Sequence, residues 1–368
     1  MIYLDHSATS FPKAPGVAEA MGKALGLGNP GRSGYASSID ASRAIYDVRV
    51  GLGSLLGCEE EQIIFTSGAT ESLNLAIQGL MKPKGRVIST DLEHNSVARP
   101  LEYGRRHEGW DWVMLPAREG QFIESLELQM KKKPTDLVVV NHVSNVNGEE
   151  QDLEAIRLLC NKMDVPFVVD VSQSIGIDDL RVEDGMALAG GVHKGLMGPM
   201  GTGFLALGQG LKPRPLVRGG TGSASEKIEM PESLPDNLEA GTPNLPGIMG
   251  LGASLEFIQR TTLKARKEAL QVRREVMING LKGIDGVRVM APLVGGSAIS
   301  ITTEKDMGVV AQKLWDQNDI CVRVGLHCSP LAHQSLGTWP GGTLRISPGP
   351  ETELKNLENT LLALEEIL

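Results

Sequence analysis

"PFVVDVSQS", residues 166–174, decides how this chain is read. Phe167, Val168 and Val169 form an apolar run with no polar alternation. A short β-branched run of this kind reads as a strand buried on both faces, as in parallel sheets. The run ends on Asp170, and Gln173 follows three residues later. A carboxylate at the end of a buried strand needs a cation or several hydrogen bonds. In open α/β sheets, that end is also where ligands bind. Three further runs have the same character: "QIIFT" (62–66), "RVIST" (86–90) and "DLVVVNHV" (136–143). Helical patterns separate them, among them "ESLNLAIQGL" (71–80) and "DLEAIRLLCNKM" (152–163). Repeated βα units predict an α/β core around a mostly parallel sheet.

The pattern changes after about residue 210. The stretch Pro213 to Gly247 is rich in Pro, Gly, Ser and Thr, and reads as long irregular structure of the kind that is functional or disordered. Helical patterns run on to about Leu281. Then come "VRVM", "SAISIT", "ICVRV" and "TLRIS", with a helix at 306–317 and another from Glu351. We expect a large domain over 15–250 and a smaller α+β domain from 1–14 together with 251–368. The chain has 368 residues, 41% hydrophobic and 22% charged, so it can fill two cores. Its net charge of −9, with no basic block, argues against nucleic acid or an anionic membrane as partner. The start "MIYLDHSATS" has no secretory pattern, and no apolar run reaches membrane-spanning length. Four cysteines without a CxxC pair fit a reducing cytoplasm.

The chemistry gathers at the junctions between strands and helices. "TSGATES" (66–72) follows a strand and opens a helix. Gly68, Ala69 and Thr70 there offer backbone N–H groups and a hydroxyl to an anion such as phosphate; the alternative is an ordinary helix cap. "DLEHNSV" places His94 after a strand, and "NHVSNVNGEE" places Asn145 after another. Each alone reads equally as a turn or capping residue. Lys194 sits in "GGVHKGLMGPMGTG" (190–203), where glycines allow close backbone approach. A lysine can condense with an aldehyde cofactor, and pyridoxal phosphate (PLP) enzymes pair such a lysine with an acid on the pyridinium nitrogen. Asp170 supplies that acid. Two other motifs are weaker. "GLGNPG" (26–31) matches G-x-G-x-x-G but follows a helical pattern, which fails the dinucleotide condition. Cys321, His327, Cys328 and His333 match no common zinc spacing, so no metal site is expected.

The set "TSGATES", "EHNSV", "HVSNVNG", "VDVSQS", "HKGLMGPMGTG", "EAGTPN" and "VRVGLHC" resembles the class V aminotransferase superfamily, and within it the cysteine desulfurase/selenocysteine lyase family, short-loop branch. The resemblance spans the chain from "YLDHSATS" to "TLRIS". It implies a PLP-dependent transferase of fold type I, acting as a homodimer on L-cysteine or selenocysteine, with a sulfur-acceptor protein as a further partner. Residue by residue, it makes Lys194 the cofactor lysine, His193 its preceding histidine and Asp170 the pyridinium partner. It makes Asn145 and Gln173 ligands of the phenolic oxygen, with Asn145 also facing substrate, and His94 the stacking histidine. Ala69 and Thr70 become the phosphate-binding helix start, and Thr242 the residue reaching the neighbouring subunit's phosphate. Arg345 would grip the substrate carboxylate, and Cys328 would receive sulfur as a persulfide.

Two positions depart from the family pattern. Gly191 stands three residues before the lysine, where a Ser or Thr is common. Tyr35, in "NPGRSGYA", stands where many relatives carry histidine. Selenocysteine lyase, another PLP β-lyase, an aminotransferase and a non-catalytic sulfur-transfer partner are the competing readings. Cys328 discriminates, because transamination needs no thiol there.

Overall fold

A computed structural model describes residues 1–31 and 34–368, apart from the side chain of residue 119. Arg32 and Ser33 of "NPGRSGYA" lie outside the described residues. The main sheet has seven strands. In spatial order they are Ile63–Thr66, Gly203–Leu207, Met186–Gly191, Phe167–Asp170, Leu137–Asn141, Arg86–Thr90 and Asp111–Leu115. Gly203–Leu207 runs antiparallel to both its neighbours, and the pairings among the other strands are parallel.

The apolar runs are explained by which face each side chain enters. Val138 and Val140 join one core cluster, while Leu137 and Val139 join the other. Val169 and Val168 divide in the same way. A strand covered by helices on both faces needs apolar residues at every position. Helix Ala69–Leu80 covers one face through Leu73, Ala76 and Ile77, the i, i+3, i+4 stripe of an amphipathic helix. Helices Phe122–Lys132 and Leu153–Lys162 cover the other through Phe122, Leu126, Ile156 and Leu159. The Asp152 carboxylate caps the second of these by accepting from Ala155 N–H at 3.0 Å.

A second core lies around a four-stranded antiparallel sheet of Arg323–Gly325, Thr343–Ile346, Ile299–Thr302 and Arg288–Val289. Ile299, Ile301, Leu344 and Ile346 pack there against helices Leu263–Lys282, Met307–Asn318 and Leu354–Ile367. Leu4 joins this core, and Ile2–Tyr3 pairs with Ile320–Cys321. Helix Leu245–Thr261 runs through residue 250 and packs on helices Val17–Ala24 and Ala36–Leu56. The stretch from residue 213 to the start of this helix holds no helix or strand.

Three strands of the main sheet carry no strong strand signal in the sequence. "MALAGG" (186–191) and "GFLAL" (203–207) are rich in Ala and Gly, which strands disfavour. They are strands because both lie in the buried centre of the sheet. Asp111–Leu115 forms an edge, and most of it is only partly buried.

Candidate active site

The carboxyl ends of the parallel strands converge. Asn141 pairs with Asp170 and Asp170 with Ala189, so these residues sit in register along one rim. Beside them, Gly191 pairs with Gly203. A Cβ on Gly203 would stand 2.5 Å from the backbone of Gly68, so only glycine lets the start of helix Ala69–Leu80 come this close. The rim opens into a cavity of about 340 Å³. Lys194, Cys328, His94, Ala69, Thr70, Asn145, Asp170, Gln173, His193 and Arg345 all line it. Every site residue expected from the sequence is therefore here except Thr242. That threonine lines an adjoining depression, which shares Ser67, Glu71 and Gly201 with the cavity wall. Tyr35 is exposed and lines neither.

The Lys194 carbonyl accepts from Met197 N–H at 2.8 Å, while its side-chain amine makes no hydrogen bond among the described residues. Burial pulls its amine down to about 8; the Asp170 charge opposes this, and Arg345 and Arg323 reinforce it. Asp170 Oδ1 accepts from Ser172 N–H at 2.9 Å. Its other oxygen accepts no bond among the described residues, and the buried Ser172 Oγ beside it also has no partner.

The three histidines on the cavity wall, His94, His193 and His327, are held neutral near pH 7 by burial. Ser96 N–H donates to His94 Nδ1 at 3.0 Å, which puts the ring proton on Nε2. Burial and the Lys194 charge lower His94 to about 4. Ser96 Oγ lies 2.9 Å from the same Nδ1 and 2.8 Å from Thr70 Oγ1, so one serine joins the histidine to the helix start. His193 Nδ1 lies 3.0 Å from Thr9 Oγ1, and burial with the Lys194 charge lowers it to about 4. His327 is buried against Thr343 Oγ1 at 2.9 Å, and burial lowers it to about 2.

Cys328 is exposed at the cavity wall, and Arg323 Nη2 contacts its Sγ at 3.9 Å. Arg323 thus faces the thiol. His327 and Cys328 both hold left-handed φ angles, 49° and 59°. Such angles cost roughly 1–2 kcal/mol per non-glycine residue. They persist because the loop is tied down. Asn145 Nδ2 donates to His327 O at 2.7 Å, Asn95 N–H to Cys328 O at 2.8 Å, and Ser329 Oγ to Asn145 Oδ1 at 2.8 Å. The thiol therefore rides on a fastened loop.

Sequence reasoning passed over two acids. Glu93, next to His94, is fully buried, and burial raises it to about 8, with the Asp170 charge adding to the rise. Its Oε1 accepts from Thr90 Oγ1 at 2.5 Å and from Asn141 N–H at 2.9 Å, while Oε2 has no partner. Asp5 Oδ1 accepts from Arg345 Nη2 at 2.6 Å. No local signal in the sequence marks either contact.

Residues 2–359 match the profile of the aminotransferase class-V family. The chain belongs to that family. Among curated class-V relatives, it is 31% identical to a probable cysteine desulfurase of Methanothermobacter thermautotrophicus, over 94% of this chain and 89% of that one. It is also 31% identical to the cysteine desulfurase IscS of Dictyoglomus turgidum, over 70% of this chain and 63% of that protein. Among solved structures, the apo cysteine desulfurase of Thermococcus onnurineus superposes with a TM-score of 0.89 at 28% identity, covering 100% of this chain and 94% of that one. The class-V fold is therefore that of PLP-dependent transferases of fold type I. Among the described residues of this class-V chain, no helix is long and apolar enough to cross a membrane.

Proposed function

We propose that this class-V chain is a PLP-dependent cysteine desulfurase, converting L-cysteine to L-alanine and holding the sulfur as a persulfide on Cys328. One observation carries the reading. An amine, a carboxylate, a helix N-terminus, a guanidinium and a thiol line a single cavity of about 340 Å³. The residues fit the cofactor. Lys194 supplies an amine shifted toward its neutral form, and Asp170 keeps one oxygen free for a ring N–H. The first N–H groups of helix Ala69–Leu80 have no intrahelical partner and suit a phosphate. Thr70, Ser96 and His193 stand with them on the cavity wall, where Gly191 supplies no hydroxyl. When bound, PLP supplies an electron sink for the carbanion at Cα.

The chain's own residues do the rest. Arg345 binds the substrate carboxylate, since its fork suits two oxygens. Asp170 holds the ring nitrogen's proton, and Gln173 and Asn145 orient the phenolic side. His94, neutral with its proton on Nε2, would stack on the cofactor ring and donate a hydrogen bond from Nε2. Lys194 takes the Cα proton. Cys328, as thiolate, attacks the substrate sulfur; the new S–S bond forms as the Cβ–S bond breaks, and its electron pair stays with carbon. Cβ is then protonated, a proton returns to Cα, and alanine leaves. Arg323 is the cation beside Sγ during this exchange.

The proposal extends to a homodimer in which Thr242 of each protomer reaches the other's phosphate site. We place the division between the two lobes at Thr262, between helices Leu245–Thr261 and Leu263–Lys282. We assign the chain to the cytoplasm, where the thiols of Cys58, Cys160, Cys321 and Cys328 stay reduced, and expect the persulfide to pass to an acceptor protein or thiol.

The test is release of alanine and sulfide from L-cysteine by wild type and Cys328→Ala, with alkylation and mass mapping of the cysteines. Sulfur on Cys328 alone, and no sulfide from the variant, supports the reading. Wild-type sulfide release by Cys328→Ala overturns it in favour of direct β-elimination or a selenocysteine reaction.

A further inference from the structure

Arg345 and Arg323 are direct partners in the antiparallel pair of the small sheet, and both line the cavity. Like charges placed opposite each other repel. Arg345 is also almost wholly buried, at 1% exposure, so an unpaired charge there would be costly. Its counter-charge comes from the far end of the chain. Asp5 Oδ1 accepts from Nη2 at 2.6 Å, and Asn145 O accepts from Nη1 at 2.9 Å. Nε has no partner. A guanidinium carries five N–H groups, so these two contacts fix its plane and leave the remaining donors for a ligand. Asp5 itself is held. Its backbone bridges Ser347 in parallel, and its carbonyl accepts from Tyr3 Oη at 3.2 Å. Asp5 does not line the cavity.

We infer that Asp5 is a positioning residue for substrate recognition, aiming the Arg345 fork at the carboxylate of the amino acid and sharing its charge with it. The inference rests on the proposed role of Arg345. Asp5 acts through geometry and charge at once, and two substitutions separate these. Asp5→Ala removes the acceptor, and the fork loses its aim. Asp5→Asn keeps an oxygen for Nη2 but removes the anion that competes with the substrate.

The holoenzymes of wild type, Asp5→Ala, Asp5→Asn and Arg345→Ala are compared by KM and kcat for L-cysteine. Two competitive inhibitors complete the set: 3-mercaptopropionate, which has a carboxylate and no amine, and cysteamine, which has an amine and no carboxylate. Asp5→Ala should raise KM and the 3-mercaptopropionate Ki by about tenfold, the loss expected of one charge-assisted bond. Its kcat should stay within about threefold, and its cysteamine Ki should not move. Asp5→Asn should hold KM at or below the wild-type value. Equal KM increases in both Asp5 variants overturn the inference, as does an equal effect on cysteamine. If Arg345→Ala weakens 3-mercaptopropionate and Asp5→Ala does not, Asp5 alone loses its role. If Arg345→Ala leaves 3-mercaptopropionate untouched, the carboxylate-binding role of Arg345 falls and the inference falls with it.

Discussion

Lys194 offers a direct reading of the electrostatics of the site before any cofactor is bound. An ordinary lysine titrates at 10.5, whereas burial brings Lys194 down to about 8. At about pH 7.5, roughly one-quarter of such an amine is neutral, against about 0.1% of an ordinary one. Only the neutral amine attacks a carbonyl, so the pocket raises the reactive fraction by roughly two hundredfold. The opposing influence is Asp170, whose negative charge favours the ammonium. Asp170→Asn should therefore move the Lys194 inflection below 8, and Arg345→Ala should move it up. Trace acetylation of the cofactor-free protein across about pH 6–11, with Lys194 quantified by peptide mass spectrometry against exposed lysines, measures this. An inflection of Lys194 near the ordinary lysine value refutes the reasoning, as does an upward shift in Asp170→Asn. In the holoenzyme the same Asp170→Asn change should retain cofactor and lower turnover by on the order of 10²-fold, which is typical of losing a key electrostatic element.

Glu93, held protonated with a value of about 8, makes stability depend on pH. Between about pH 4.5 and 8 the folded state keeps a proton that the unfolded state releases, so this contribution is full at low pH and fades as pH rises. Glu93→Gln should remove that slope and gain on the order of a few kcal/mol over wild type above about pH 8, read by denaturant unfolding; parallel slopes in both proteins would count against it. Sedimentation should give a two-fold dimer, and Thr242→Ala should weaken PLP binding while leaving the dimer intact. An active monomer at micromolar concentration would exclude the shared site.

What the sequence reveals depends on how local the signal is. Asp170 is legible because it ends a β-branched run, Asn145 and His94 because each lies a few residues past one, and Lys194 because glycines frame it. The strands Met186–Gly191 and Gly203–Leu207 are hidden because Ala and Gly are placed there by the sheet around them. The Asp5–Arg345 pair is hidden because 340 residues separate its members. Glu93 is plain in "EHNSV", yet nothing in that string says that its carboxyl is sealed from water. The orientation of Arg323 required the antiparallel register with Arg345.

Asn145 touches both halves of the chemistry. Its carbonyl accepts from Arg345, its amide nitrogen donates to the carbonyl of His327, and its amide oxygen accepts from Ser329. The group that would hold substrate and the loop that presents the thiol thus share one fixed point on the large sheet's rim. By thermodynamic linkage, a ligand that draws Arg345 and this loop into a tighter arrangement must itself bind more tightly when the loop is already in place. Loss of this asparagine would let occupancy of the carboxylate site and placement of the sulfur vary independently.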